Sequence, residues 1–131
     1  MKVTRILFFL IPIGLILANN CAAENAEITK GQEVFQQHCE ECHGINAIGE
    51  NPEHPGGDLE TAPALNGTAH TWHHPPVFLF QKIKNKIVNK SSPMPKFADI
   101  LSDDEINAVL AYIESLWPED IQKRYSEQYK E

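Results

Sequence analysis

Basic side chains are scarce in this 131-residue chain, with 11 Lys and Arg against 18 Asp and Glu. Such a charge balance repels phosphate backbones and anionic membrane surfaces, so neither nucleic acid nor a charged bilayer is an expected partner. Aromatic residues are few as well, at 8%, which leaves a small domain with little core of its own. Long apolar runs are missing. The most apolar stretch, Ile6 to Ala18, has 13 residues and is broken by Pro12 and Gly14, whereas about 20 are needed to span a bilayer. Apart from Met1 the only methionine is Met94. Cysteine is limited to Cys21, Cys39 and Cys42, and the short loop between the last two gains little from a disulfide.

What is present begins with a leader. Met1-Lys2-Val3-Thr4-Arg5 is a basic start, the apolar run follows, and Cys21-Ala22-Ala23 supplies small residues at the positions a signal peptidase reads. The expectation is a signal peptide over residues 1–23, cleaved after Ala23, and a periplasmic location. A lipoprotein signal that acylates Cys21 is the rival, weakened by Asn19 and Asn20 where small apolar residues are expected, and an uncleaved anchor is the third reading. Membrane contact follows only from the last two. The mature chain, 24–131, is one small domain, with a core of about 26–117 and a charged C-terminal tail, 118–131. The leader takes Lys2 and Arg5 out of the 11 basic residues and no acid, leaving 9 against 18, so the formal charge moves from −7 to −9. Partners with basic docking faces, met weakly and salt-sensitively, suit that charge.

The most specific stretch is His38-Cys39-Glu40-Glu41-Cys42-His43-Gly44. A Cys-x-x-Cys-His run is the attachment signature of a c-type haem. Two thiols at that spacing can each add to one vinyl group of the macrocycle, and the histidine directly after the second is pinned on one face, where its imidazole can reach the iron. One haem c is therefore expected, covalently held by Cys39 and Cys42 and ligated by His43. A second such motif is absent. Three other readings compete: a thioredoxin-like redox pair, which wants a βαβ context that is not visible; half a zinc site completed by two of His70, His73 and His74; and a structural disulfide.

A helix is expected over Ala26–Cys42, with Thr29 as N-cap and Gly31, Phe35 and Cys39 on one face. A glycine inside a helix costs about 1 kcal/mol relative to alanine, so Gly31 has a packing reason, and close passage of another helix is the candidate. Residues 46–61 are loop by composition. In Pro63-Ala64-Leu65 the Pro63 carbonyl is free to accept from a ligating histidine, which needs such a partner for its second ring nitrogen. His70–His74 form turns framing the haem pocket, with Trp72 packing inward. A second helix runs roughly from Pro76 to Asn89, with Phe80, Ile83 and Ile87 as its apolar stripe and Lys82, Lys84, Lys86 and Lys90 as a solvated face. Ser102-Asp103-Asp104-Glu105 is a capping box opening a third helix, whose apolar face includes Ile106, Val109, Leu110, Ile113, Leu116 and Trp117, with Tyr112 on its flank; Pro118 stops it. Ile121, Tyr125 and Tyr129 have the spacing of a short extra helix, with no function assigned.

Met94 lies between Pro93 and Pro95, in a segment that can be neither helix nor central strand. A methionine that fills a core sits on a helix or strand face. A loop stiffened by two prolines instead holds a thioether at a fixed point at little entropic cost, as a weak sixth iron ligand requires.

Taken together, Gly31…Phe35…Cys39-x-x-Cys42-His43-Gly44, Pro63-Ala64-Leu65-Asn66-Gly67, Pro93-Met94-Pro95 and Ala111-Tyr112-Ile113-Glu114-Ser115-Leu116 resemble a class I cytochrome c of the exported bacterial type. The resemblance implies an all-α fold in which three main helices wrap one covalently bound haem. It implies that the first and last of these cross near Gly31 and Tyr112, that the Pro63 carbonyl accepts from His43, and that His43 and Met94 are the axial pair. The function implied is single-electron transport between donor and acceptor redox proteins, as in a respiratory chain, rather than an enzyme activity, on its own or as a subunit of a larger oxidoreductase. The alternative is a haem-based sensor or gas-binding module, or a peroxidase-like enzyme, in which Met94 is displaced.

Overall fold

The computed structural model describes residues 13–57, 61–85 and 93–129. Helix α1 runs Ile13–His38, a short α2 spans Glu40–His43, α3 spans Pro76–Asn85, α4 spans Asp103–Ser115 and α5 spans Glu119–Tyr129; 3-10 turns occupy Ile45–Ala47 and Thr71–His73. No strand occurs among the described residues, so the chain is all-α.

The first helix differs from its expectation at both ends. It already includes the residues before Ala26, so Thr29 is interior rather than an N-cap, and its Oγ1 donates to the Asn25 carbonyl one turn back at 2.8 Å. At the other end the helix breaks at Cys39, whose φ/ψ of −124°/−33° are not helical, and α2 starts anew at Glu40. Hydrogen bonds bridge the break, with Cys39 N–H donating to Phe35 O and His43 N–H to Cys39 O, each at 2.8 Å. The second helix is described as far as Asn85. Ile87, Lys86, Lys90, Ser91 and Ser92 lie outside the described residues, as do leader residues 1–12. No described helix is long and apolar enough to cross a membrane.

The α1–α4 pair is the centre of the core. Gly31 is buried at the contact, where an ideal Cβ would lie 1.9 Å from the Ala108 carbonyl oxygen and 2.9 Å from Tyr112 Cβ. Only a residue without a Cβ lets the two backbones come this close. One turn on, the Phe35 and Tyr112 rings pack with centroids 5.4 Å apart, and Phe35 and Ile106 are fully buried. Each such side chain removed from water contributes about 1.5–3 kcal/mol.

Helix α4 starts where its capping box says it should. Ser102 Oγ accepts from Glu105 N–H at 3.3 Å, and Glu105 Oε2 accepts from Ser102 N–H at 2.9 Å. The preceding segment is pinned to the end of α3, since Phe97 N–H donates to Ile83 O and Ala98 N–H to Lys84 O, at 3.1 and 3.0 Å. An exposed ion pair, Lys84 Nζ to Asp103 at 2.6 Å, joins α3 to the start of α4.

The charged C-terminal segment forms the short extra helix that its Ile121, Tyr125 and Tyr129 spacing predicts, and that helix is docked rather than a free tail. In α5, Ile121 and Tyr125 are buried, and Tyr125 meets Trp117 edge-on at 4.8 Å. On the same side of the molecule Tyr129 Oη donates to His73 O at 2.8 Å, and the Arg124 guanidinium lies over the Trp72 ring at 5.1 Å. A strongly charged helix thus anchors through its few apolar and aromatic positions.

Candidate haem site

The Cys-x-x-Cys-His stretch sits on the α1–α2 break. Restarting the helix at Glu40 puts Cys39 at its N-terminal boundary and Cys42 one turn on, and Gly44, with φ +74°, ends it directly after His43. Neither Cys39, half-buried, nor Cys42, exposed, is in a disulfide. Burial, with the Cys42 thiol adding to it, pushes the Cys39 thiol up to about 11. Redox-active Cys-x-x-Cys pairs need the opposite, a thiol whose pKa is lowered into the neutral range or below, so the thioredoxin-like reading loses its chemistry as well as its βαβ context.

His43 is the one buried polar or charged residue among the described side chains, at 9% exposure. Its Nδ1 lies 2.8 Å from the Pro63 carbonyl oxygen. A carbonyl can only accept, so Nδ1 carries the proton and Nε2 keeps the lone pair. Burial also holds the imidazole pKa below its ordinary value, the Pro63 bond opposing it. The result is a neutral ring with its tautomer and direction set, the state a metal-binding histidine needs.

Pro63 is itself held. Ala64 N–H donates to Pro55 O and Leu65 N–H to Ala47 O, both at 2.8 Å. Gly49, at φ +85°, presses against the same strand of chain: an ideal Cβ there would come within 2.7 Å of the Ala64 nitrogen. Leu65 O accepts from Trp117 Nε1 at 2.7 Å. Gly49 and Trp117 were not legible as parts of the site. The first has only a turn-rich composition around it, and the second merely continues the apolar face of α4.

Met94 is half-buried against the core in non-helical chain. Three residues on, buried Phe97 meets the His38 ring edge-on at 6.3 Å, which ties the Met94 loop to the residue just before Cys39. Three residues of chain reach about 10 Å at most, so Met94 and the Cys-x-x-Cys-His stretch share one neighbourhood. His70 and His74 are 5.8 Å apart, His74 stacks on Phe78 at 4.6 Å, and the His73 backbone is engaged by α5. No group of three or more His, Cys, Asp or Glu side chains converges among the described residues, so the four-ligand zinc arrangement is not assembled by them. Trp72 is half-buried under Arg124, in partial agreement with the inward packing expected of it.

Comparison with known proteins decides the family. The family model for cytochrome c oxidase, cbb3-type, subunit III matches residues 26–113. The chain belongs to this family of class I cytochromes c. It is also 27% identical over 110 residues to the cbb3-type cytochrome c oxidase subunit FixP of Sinorhizobium medicae (strain WSM419), an alignment covering 79% of this chain and 35% of that protein. The chain thus spans about a third of the length of the curated relative it matches. No solved structure matches it.

A cytochrome c domain implies haem c, and the residues present fit it. Two thiols at the attachment spacing are in no disulfide, one buried imidazole has Nδ1 tied to a carbonyl and Nε2 left with its lone pair, and a thioether lies between two prolines, half-buried against the core. The family supports haem-based electron transfer.

Proposed function

We propose that residues 24–131 form a single-electron carrier domain with one haem c bound covalently through Cys39 and Cys42, its iron ligated by His43 and Met94. The observation that carries the reading is the 2.8 Å contact of His43 Nδ1 with the Pro63 carbonyl, because it leaves Nε2 as the one ring nitrogen able to bind a metal. When bound, the haem supplies a one-electron Fe(III)/Fe(II) couple. The chain's residues set its conditions. His43 is oriented by Pro63 and made more basic by that hydrogen bond. The thioether of Met94 favours Fe(II) and raises the potential. Pro93 and Pro95 restrict the loop that carries it, so little rearrangement accompanies a change of charge.

The domain is proposed to be exported to the periplasm by a leader over residues 1–23, with a lipid at Cys21 or an uncleaved leader as the routes to a membrane anchor. Its partners are donor and acceptor redox proteins with basic docking faces, matched to the acidic surplus of the chain. Similarity to a subunit of a cbb3-type oxidase supports work beside, or as part of, a larger oxidoreductase, with no substrate chemistry of its own. Optical spectra of the holoprotein and of Met94→Ala, oxidised and reduced, with and without carbon monoxide, test the ligation. The expected wild type is low-spin and inert to carbon monoxide, whereas the variant turns high-spin and binds it. A wild type that binds carbon monoxide readily refutes the Met94 assignment and favours a sensor or peroxidase-like role.

A further inference from the structure

Trp117 is 3% exposed and sits beyond α4, two residues past its last turn. An indole N–H is a donor only and must find an acceptor when buried. Here it finds the Leu65 carbonyl at 2.7 Å, 52 residues away in sequence. Leu65 is thereby held on both sides of its residue, because its own N–H donates to Ala47 O at 2.8 Å, in the turn that follows His43. Pro63, the acceptor for His43, is two residues back along the same extended chain, so the span between the two carbonyls is about 7 Å at most. Only Ala64 lies between them, and its N–H is tied to Pro55 O at 2.8 Å, which limits how far one carbonyl can turn without the other.

Trp117 has little freedom of its own. The Tyr125 ring meets it edge-on at 4.8 Å, and Gln122 Nε2 donates to its carbonyl at 2.8 Å. Both groups come from α5, and Tyr125 is 2% exposed. Trp117 and α5 lie beyond residue 113, where the family match ends, so this tether is carried by the part of the chain outside the matched domain.

We propose that Trp117 is a positioning residue: its indole N–H, braced by α5, fixes the Leu65 carbonyl and through it the Pro63 carbonyl that receives the His43 proton, and so sets the basicity of the iron ligand. The proposal rests on the reading of His43 as that ligand. A firm Nδ1–H···O=C bond makes the imidazole more basic and favours Fe(III), and a looser one favours Fe(II). The C-terminal helix thus bears on the potential through the chain that holds Pro63.

The test is Trp117→Phe in the holoprotein, which keeps an aromatic ring and removes the donor. Three quantities are read: the reduction potential, the exchange rate of the His43 Nδ1 proton by NMR in the reduced protein, and the thermal midpoint. The expected result is a raised potential together with exchange faster by about tenfold, the equivalent of ~1.4 kcal/mol and so of one net hydrogen bond. A lowered thermal midpoint with potential and exchange both at wild-type values overturns the proposal and leaves Trp117 as core filling. Where Trp117→Phe does not accumulate as holoprotein, site-specific replacement of Trp117 by 3-benzothienylalanine decides by the same two readouts, since it keeps the shape and lacks only the N–H. The ligation reading fails separately: a His43→Ala holoprotein with an unaltered low-spin spectrum refutes that reading, whatever Trp117→Phe does.

Discussion

Replacing Gly31 by alanine sets two opposed effects against each other, and the geometry says which wins. In an exposed helix the change would stabilise by about 1 kcal/mol, because alanine loses less backbone entropy than glycine. At position 31 the added Cβ would sit 1.9 Å from the Ala108 oxygen and 2.5 Å from its carbonyl carbon, where ordinary contact begins at 3.4 Å. The obstacle is backbone, inside a helix whose hydrogen bonds cannot be given up cheaply, so no rotamer change relieves it. The remedy is to move α1 off α4 by about 1.5 Å, the difference between those two separations. A gap of 0.5–1 Å already forfeits roughly a quarter to a half of each dispersion contact, and this interface includes Phe35, Tyr112 and Val109.

Overpacking of a well-packed core costs about 1–3 kcal/mol and occasionally more; a backbone obstacle belongs at the upper end. Subtracting the propensity gain leaves a net loss of about 2 kcal/mol. For a domain near 100 residues that is a fall in thermal midpoint of roughly 8–16 °C, read by far-UV ellipticity of holoprotein against wild type under identical conditions. Ala108→Gly removes a methyl that is not the obstacle, so the double variant stays as destabilised as Gly31→Ala or worse. A neutral or stabilising Gly31→Ala, or its rescue by Ala108→Gly, would refute the close crossing.

Four further outcomes are expected. Ser102→Ala removes the α4 cap and should lower unfolding free energy by about 1 kcal/mol in urea titrations; its partner Glu105 has a carboxyl held below its ordinary pKa by the Ser102 backbone and side-chain bonds, so the stability gained from it is present above the ordinary carboxylate range and fades as pH falls through the lowered value. The difference between wild type and Glu105→Gln should therefore shrink in acid, and a difference that grows there refutes the capping box. Tyr125→Ala empties the contact between α5 and Trp117 and should cost about 3–5 kcal/mol, with limited proteolysis opening first after Pro118. Asp103→Asn, breaking an ion pair whose side chains are 30% and 61% exposed, should change stability by less than about 1 kcal/mol, and only at low salt.

These perturbations divide along the distance over which their causes act. The Cys39–His43 stretch, the capping box at Ser102 and the spacing of Gly31 with Phe35 are legible in the sequence because each depends on neighbours within a turn or two, where backbone geometry fixes what can meet. The same locality explains the errors. Thr29 reads as an N-cap only if the helix begins there, and nothing within four residues announces that it starts earlier. The break at Cys39 is silent too, because the residues flanking it are ordinary helix formers and only the φ/ψ of Cys39 departs. Trp117 shows a local pattern that is true and incomplete. Its place on the apolar face predicts burial, but burial says nothing of which carbonyl, 52 residues away, takes its N–H. In residues 118–131 the i, i+4, i+8 spacing of Ile121, Tyr125 and Tyr129 announces the helix, but what that stripe docks against is again a long-range matter. The attachment motif is a short-range pattern that different cytochrome domains can share. What lies beyond that pattern in this chain is long-range: contacts that no run of neighbouring residues announces. In this chain those contacts run from α5 through Trp117 to the loop that faces His43.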